Sequence, residues 1–140
     1  MIRNIESGER SVLIRIWESP VSNTHHFIKE EDFLYHKTRL PLYFQQVTLY
    51  GFEQEGVLMG FMGVYETTLE MLFVDNQYQG KGIGKELLTY AIQGLEANKV
   101  DVNEQNIQTV GFYQYIGFNI TGKDDCDGDG KAYPILHMQL

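Results

Sequence analysis

The stretch "VDNQYQGKGIGKELLTYAI", residues 74–92, sets Gly80, Gly82 and Gly84 at alternate positions between an apolar run and a helical pattern. Downstream, Ile83, Leu87, Leu88, Ala91, Ile92 and Leu95 recur at steps of three and four, which predicts a helix packed on a sheet. Two known glycine loops do not fit. A dinucleotide fingerprint starting at Gly80 needs glycine where Lys85 stands, and a nucleotide P-loop ending at Gly84-Lys85 needs glycine at Gln79 and Ser or Thr at Glu86. What remains is strand, short loop, helix. The first amides of that helix have no acceptor within it, glycine lets a ligand approach the backbone closely, and the positive dipole end suits a pyrophosphate without a metal. On this segment alone, a glycine-rich turn with a merely solvated helix start is the alternative.

Working outward, residues 1–6 predict a short strand, and "SGERSVLIRIWESP" carries Val12, Leu13, Ile16 and Trp17 at one-face helical spacing until Pro20, which should stop the helix. A second helix over "IKEEDFLYHKTRLPLYF" repeats the period through Phe33, Leu34, Lys37 and Leu40, with Pro41 expected to break or kink it. "QVTLYGFEQEGVLMGFMGVYETTLEMLFVD" predicts three antiparallel strands turning at Glu55-Gly56 and near Glu66-Thr67. After the glycine helix come a fifth strand in "KVDVNE", a short helix over 106–116 capped by Gly117, and two strands, "FNITGKD" and "AYPILHMQL". The order is βααβββαβαββ, without internal repeats. The fold class is mixed α/β around a mainly antiparallel sheet.

At 140 residues the chain fits one domain, 1–140, and 43% apolar with 13% aromatic residues argues against disorder. No apolar run approaches the roughly 18 residues a bilayer span needs, and "MIRNIESGER" is charged where a secretory signal is apolar, so a cytoplasmic location without membrane attachment is expected. The single cysteine, Cys126, lies in a polar acidic loop and receives no chemical role. A net charge of -8 opposes broad nucleic-acid binding and suits a cationic or amine-bearing substrate; solubility alone is the blander explanation.

A second motif makes the reading specific. "NEQNIQTVGFYQYIGF", residues 103–118, taken with "LFVDNQYQGKGIGKELL", resembles the GCN5-related N-acetyltransferase (GNAT) superfamily, whose members bind acetyl coenzyme A. The pattern N-x-x-x-x-x-F-Y-x-x-x-G-F is filled by Asn106, Phe112, Tyr113, Gly117 and Phe118, and L-x-V-x-x-x-x-Q/R-x-x-G-x-G by Leu72, Val74, Gln79, Gly82 and Gly84. These motifs cover residues 69–118, and the element order is similar to the family's over nearly the whole chain. "NTHHFI" and "GKAYPILHM" resemble a YjaB-type bacterial subgroup of small acetyltransferases.

The resemblance implies acetyl-CoA as acyl-donor cosubstrate and an amine acceptor, either a small molecule or a protein amine. It implies a pyrophosphate held by the loop from Gln79 through the amides of Gly80, Lys81, Gly82, Ile83, Gly84 and Lys85. It also implies a pantetheine arm laid like an added strand on Leu72, Phe73 and Val74, with Asn106 fixing that arm; an N-cap explains Asn106 equally well. Tyr113 would then stabilise the leaving thiolate, against ordinary packing as the alternative. The attacking amine must lose a proton, and no motif fixes the base. Strand alternation puts Thr68, Glu70, Leu72 and Val74 on one face, so Glu70 has the chemistry and the parity, although a solvated or paired carboxylate is as common there. His25 and His26, between the first two helices, suit proton traffic at the acceptor pocket. His137 and His36 read as ordinary packing or exposure.

"DCDGDG" places Asp125, Asp127, Asp129 and Gly130 at positions one, three, five and six of a calcium loop, but position twelve is Leu136 and Pro134 lies inside, so a hairpin turn and no metal are expected. The expected activity is direct N-acetyl transfer to a primary amine in a ternary complex. An acyl-CoA-binding regulatory domain without turnover is the competitor, and a calcium-responsive module a third. Many relatives pair through their C-terminal strands, so a homodimer is compatible with the resemblance.

Overall fold

A computed structural model of the protein describes residues 1–24 and 28–140. The described elements follow the expected order: β1 (Ile2–Asn4), α1 (Arg10–Thr24), α2 (Glu30–Gln45), β2 (Thr48–Gln54), β3 (Val57–Tyr65), β4 (Thr68–Val74), α3 (Ile83–Gly94), β5 (Lys99–Asn103), α4 (Ile107–Ile116), β6 (Asn119–Asp124) and β7 (Ile135–Gln139). The strands form one sheet in the order β1-β2-β3-β4-β5-β7-β6, antiparallel at every junction except β4 with β5. Among the described residues no helix is long and apolar enough to cross a membrane.

Two cores flank the sheet. On one face, Ile83, Leu87, Leu88 and Ala91 of α3 join Tyr113 of α4, Phe118, and the strand residues Met62, Leu69, Val100 and Met138. On the other, Leu13, Ile16, Trp17 and Val21 of α1 with Leu40 and Phe44 of α2 cover Leu49, Leu58 and Phe61 of β2 and β3. The helices of this second face pack on β2, β3 and β4, and a cleft lies beside them over β5, β7 and β6.

Neither proline ends its helix. α1 runs through Pro20 to Thr24, and α2 runs through Pro41 to Gln45. Proline removes one amide donor, a local cost that buried neighbours on the same stripe offset. In α1, Pro20 is itself buried beside Ile16, Trp17 and Val21, and in α2 the buried Leu40 and Phe44 bracket Pro41. The helical period was right; the stop signal was overridden by packing.

Candidate active site

The apolar run before the glycines is β4, and its two neighbours treat it differently. β3 pairs along it from Thr68 to Val74, whereas the parallel pairing with β5 covers only Thr68↔Lys99 and Leu69↔Val100. Beyond that point the strands diverge. Residues 70–74 therefore keep a backbone edge that no strand occupies, and β5 departs toward Asn103. Leu72, Phe73 and Val74, the residues implied to run beside a pantetheine arm, lie along this open fork.

Past the fork the chain makes a short 3-10 turn, Asn76–Tyr78, and enters α3. The turn is firmly held. Asp75 is buried and its carboxylate accepts the Gln77 amide, the Asp75 amide donates to the Met59 carbonyl, and Ser19 of α1 accepts from the Asn76 amide. Gln79 donates its side-chain amide to the Val74 carbonyl at 2.9 Å, so it ties the loop back to the end of β4. Gly80 and Gly82 have φ of 78° and 81°, in the left-handed region where a side chain is strained, and a Cβ built on either would meet nothing within 4 Å. Gly82 is the N-cap, and no side chain caps the helix. The amides of Ile83, Gly84 and Lys85 form the first turn at the positive end of α3, with exposed Lys81 and Lys85 beside them.

Tyr113 lies in the C-terminal half of α4, a helix capped at its start by Asn106, whose side chain accepts the Thr109 amide at 3.3 Å. Asn106 is therefore an N-cap in this structure. Tyr113 is 5% exposed, its ring centroid 5.5 Å from that of Phe112 and 5.7 Å from that of Phe118. Burial pushes its phenol well above the ordinary tyrosine value, so it stays protonated at any physiological pH.

Glu70 requires a correction. The register passes from Gly63↔Met71 to Val64↔Leu69, which leaves Glu70 as the extra residue of a β-bulge. A bulge breaks strict alternation. Leu69, Leu72 and Val74 consequently all pack on the α3 side, Met71 and Phe73 pack on the α1–α2 side, and Glu70 departs from the face of Leu72 and Val74. It opens into a cleft of about 320 Å³ that Thr68, Lys99, Asp101, Thr121, His137 and Gln139 also line. Desolvation first, and then the Asp101 charge, raise the Glu70 carboxyl above its ordinary value. The parity argument was wrong, yet the carboxylate stands at the mouth of the fork.

His25 and His26 lie outside the described residues. His36 and His137 are more engaged than ordinary packing implies. His36 of α2 lies 3.4 Å from Asp127 and 3.8 Å from Asp129, in the acidic turn joining β6 to β7. The same turn is stapled to α2 by Tyr43 donating to Asp129, by Lys131 at 3.1 Å from Asp32, and by Tyr133 donating to Asp32 at 2.5 Å. Its flanks are strands, and Asp127 accepts the Asp129 and Lys131 amides, so the turn folds around its own backbone. The sequence signal for this staple was the spacing of Asp32, His36 and Tyr43 along one helix face, which hydrophobic periodicity does not reveal.

Residues 20–140 match the acetyltransferase (GNAT) domain family. The chain belongs to the GNAT family. It is 34% identical over 134 residues to the peptidyl-lysine N-acetyltransferase YjaB of Salmonella typhimurium, covering 95% of this chain and 91% of that protein. It also superposes on the solution structure of apo-form YjaB from Escherichia coli with a TM-score of 0.85 and 31% identity, over 99% of this chain and 95% of that one. An acetyltransferase structure from Salmonella typhimurium, yncA, solved with its cofactor acetyl-CoA, has a similar fold at a TM-score of 0.65 and 20% identity over 100% of this chain and 92% of that one. The reading of the chain as a GNAT-family N-acetyltransferase resembling YjaB is borne out by these likenesses.

Proposed function

We propose that this GNAT enzyme acetylates the ε-amine of lysine side chains in proteins, with acetyl-CoA as donor. The observation that carries the reading is the fork between β4 and β5, with a helix start that no side chain caps at one end and the Glu70 carboxylate at the other. The lysine acceptor is supported by likeness to YjaB over nearly the whole chain and by a cleft that presents carboxylates to a cation.

Acetyl-CoA supplies an activated acyl group and a thiolate leaving group. The backbone amides of 80–85 would hold its diphosphate, and the open edge of Leu72, Phe73 and Val74 would hydrogen-bond its pantetheine arm. Asn106 sets the start of the helix that brings Tyr113 to the sulfur. An amide of β4 donates to the carbonyl oxygen as negative charge develops there. Glu70 takes one proton from the acceptor ammonium, so that its nitrogen lone pair can form the new C–N bond as the C–S bond breaks. Tyr113 donates a hydrogen bond to the departing sulfur, which ends as the thiol once the amide nitrogen has shed its second proton. A phenol held far above a thiol's pKa near 8.5 stabilises the thiolate by hydrogen bonding without giving up its own proton.

Thiol release from acetyl-CoA, measured with lysine-bearing peptides and checked by mass spectrometry of the peptide, tests the proposal directly. Acetyl-lysine formed at a rate that scales with enzyme is the expected result. Tight CoA binding with no acceptor turned over would instead establish the regulatory domain.

A further inference from the structure

The cleft beside Glu70 holds a side-chain arrangement that the transfer has not yet used. His137, on the central strand of the outer three, lies between a carboxylate on each neighbour. Its Nδ1 is 2.7 Å from Asp101 Oδ1 on β5 and its Nε2 is 2.8 Å from Asp124 Oδ2 on β6. Asp101 and His137 are direct partners in the register, and the ring lies across Gly122, whose absent side chain leaves room: an added Cβ there would be 3.6 Å from the ring.

Two carboxylates can each accept from the ring only if both nitrogens carry hydrogen, so the bridge requires the imidazolium. Asp101 uses one oxygen in this bond. Among the described residues Glu70 makes no hydrogen bond or ion pair, and the Asp101 charge acts on it across the shared cleft.

We propose, on the reading of Glu70 as the base, that His137 is a positioning residue for the transfer: as an imidazolium bridging Asp101 and Asp124, it fixes the Asp101 carboxylate beside Glu70 and offsets its charge, which keeps Glu70 available as a base near neutrality. The charged groups around the pair are few. From β5 they are Asp101 and Lys99, from β6 Asp124, and from β4 only Glu70 itself; Thr68, Thr121 and Gln139 are neutral, and Lys123 is drawn away to Glu104 at 3.0 Å. Lys99 is the same in parent and variants. The two carboxylates also hold His137 above the ordinary imidazole value, Asp101 more than Asp124.

A tie that served only to staple three strands would respond alike to loss of either end. A charge device would not. Asp101→Asn removes the like charge and should move the Glu70 titration to lower pH, whereas His137→Gln leaves Asp101 uncompensated and should move it to higher pH, each by roughly 0.5 to 1. His137→Lys, which restores a cation, should bring it back toward the parent value. Exposed ion pairs contribute little to stability, so these variants are expected to fold.

The experiment is a carbon-13 NMR titration of the Glu70 side-chain carboxyl in the free protein, paired with the acid limb of the kcat/KM profile for a lysine peptide. Opposite shifts for Asp101→Asn and His137→Gln, seen in both readouts, are the expected result. Equal or absent shifts of the Glu70 carboxyl overturn the proposal and leave the lysine acetyltransferase reading intact. A parent enzyme that turns over no amine overturns that reading instead, while the NMR titration still reports whether His137 governs Glu70.

Discussion

The two ends of the β4–β5 fork are made of different material. At the α3 end, the proposed recognition is a property of backbone: glycines in left-handed conformation and a helix start that no side chain caps. At the acceptor end it is a property of side chains, with Glu70, Asp101, Asp124 and His137 drawn from four strands. Backbone recognition must be written contiguously, because one loop forms it. Side-chain recognition can be scattered along the chain and assembled by sheet order.

Substitutions should separate the two ends cleanly. The largest effect belongs to Glu70→Gln. Loss of a general base lowers kcat by about a hundredfold or more, with the acetyl-CoA dissociation constant unchanged by calorimetry. A comparable fall in acetyl-CoA affinity would erase the division between the ends. Next comes Gly82→Val. A β-branched residue at φ of 81° is strained and crowds the amides, so acetyl-CoA should bind at least about tenfold more weakly, while the carbon-13 titration of Glu70 stays at its parent position. Tyr113→Phe follows. Removing a hydrogen bond to a developing thiolate should lower kcat by roughly tenfold, with little change in KM for either substrate. The slope of rate against thiol leaving-group pKa should steepen in this variant; an unchanged slope would remove Tyr113 from the chemistry.

The smallest effect is on stability. A carboxyl raised in the folded state binds its proton more tightly there than in the unfolded chain. Its contribution is present below the ordinary glutamate pKa and is lost as pH rises through the elevated folded value. Glu70→Gln should therefore raise the melting temperature modestly at pH 8 relative to the parent, and not at pH 4. Equal changes at both pH values would mean that the cleft imposes no such strain on Glu70.

Legibility in the sequence follows the same division. The glycine helix, the three-strand meander and the Asn106–Phe118 motif were readable because each rests on local spacing, and the structure places all three as expected. Pro20 misled because a local donor deficit was outweighed by contacts between elements distant in sequence, and at Pro41 the same kind of packing carries α2 on to Gln45. The face of Glu70 was misread because a bulge inserts one residue that no alternation rule anticipates. His137 passed as an ordinary strand residue because its partners stand 36 and 13 positions away and meet it only through the β5-β7-β6 order.

Amide chemical shifts under titration offer the most direct measurement of the central claim, that backbone at the start of α3 grips a diphosphate. With nitrogen-15-labelled protein, coenzyme A should perturb the amides of residues 80–85 and of the β4 edge, whereas pantetheine, which lacks the diphosphate, should perturb the β4 edge alone. Coenzyme A binding that leaves residues 80–85 unmoved, or pantetheine shifting them equally, would contradict the account.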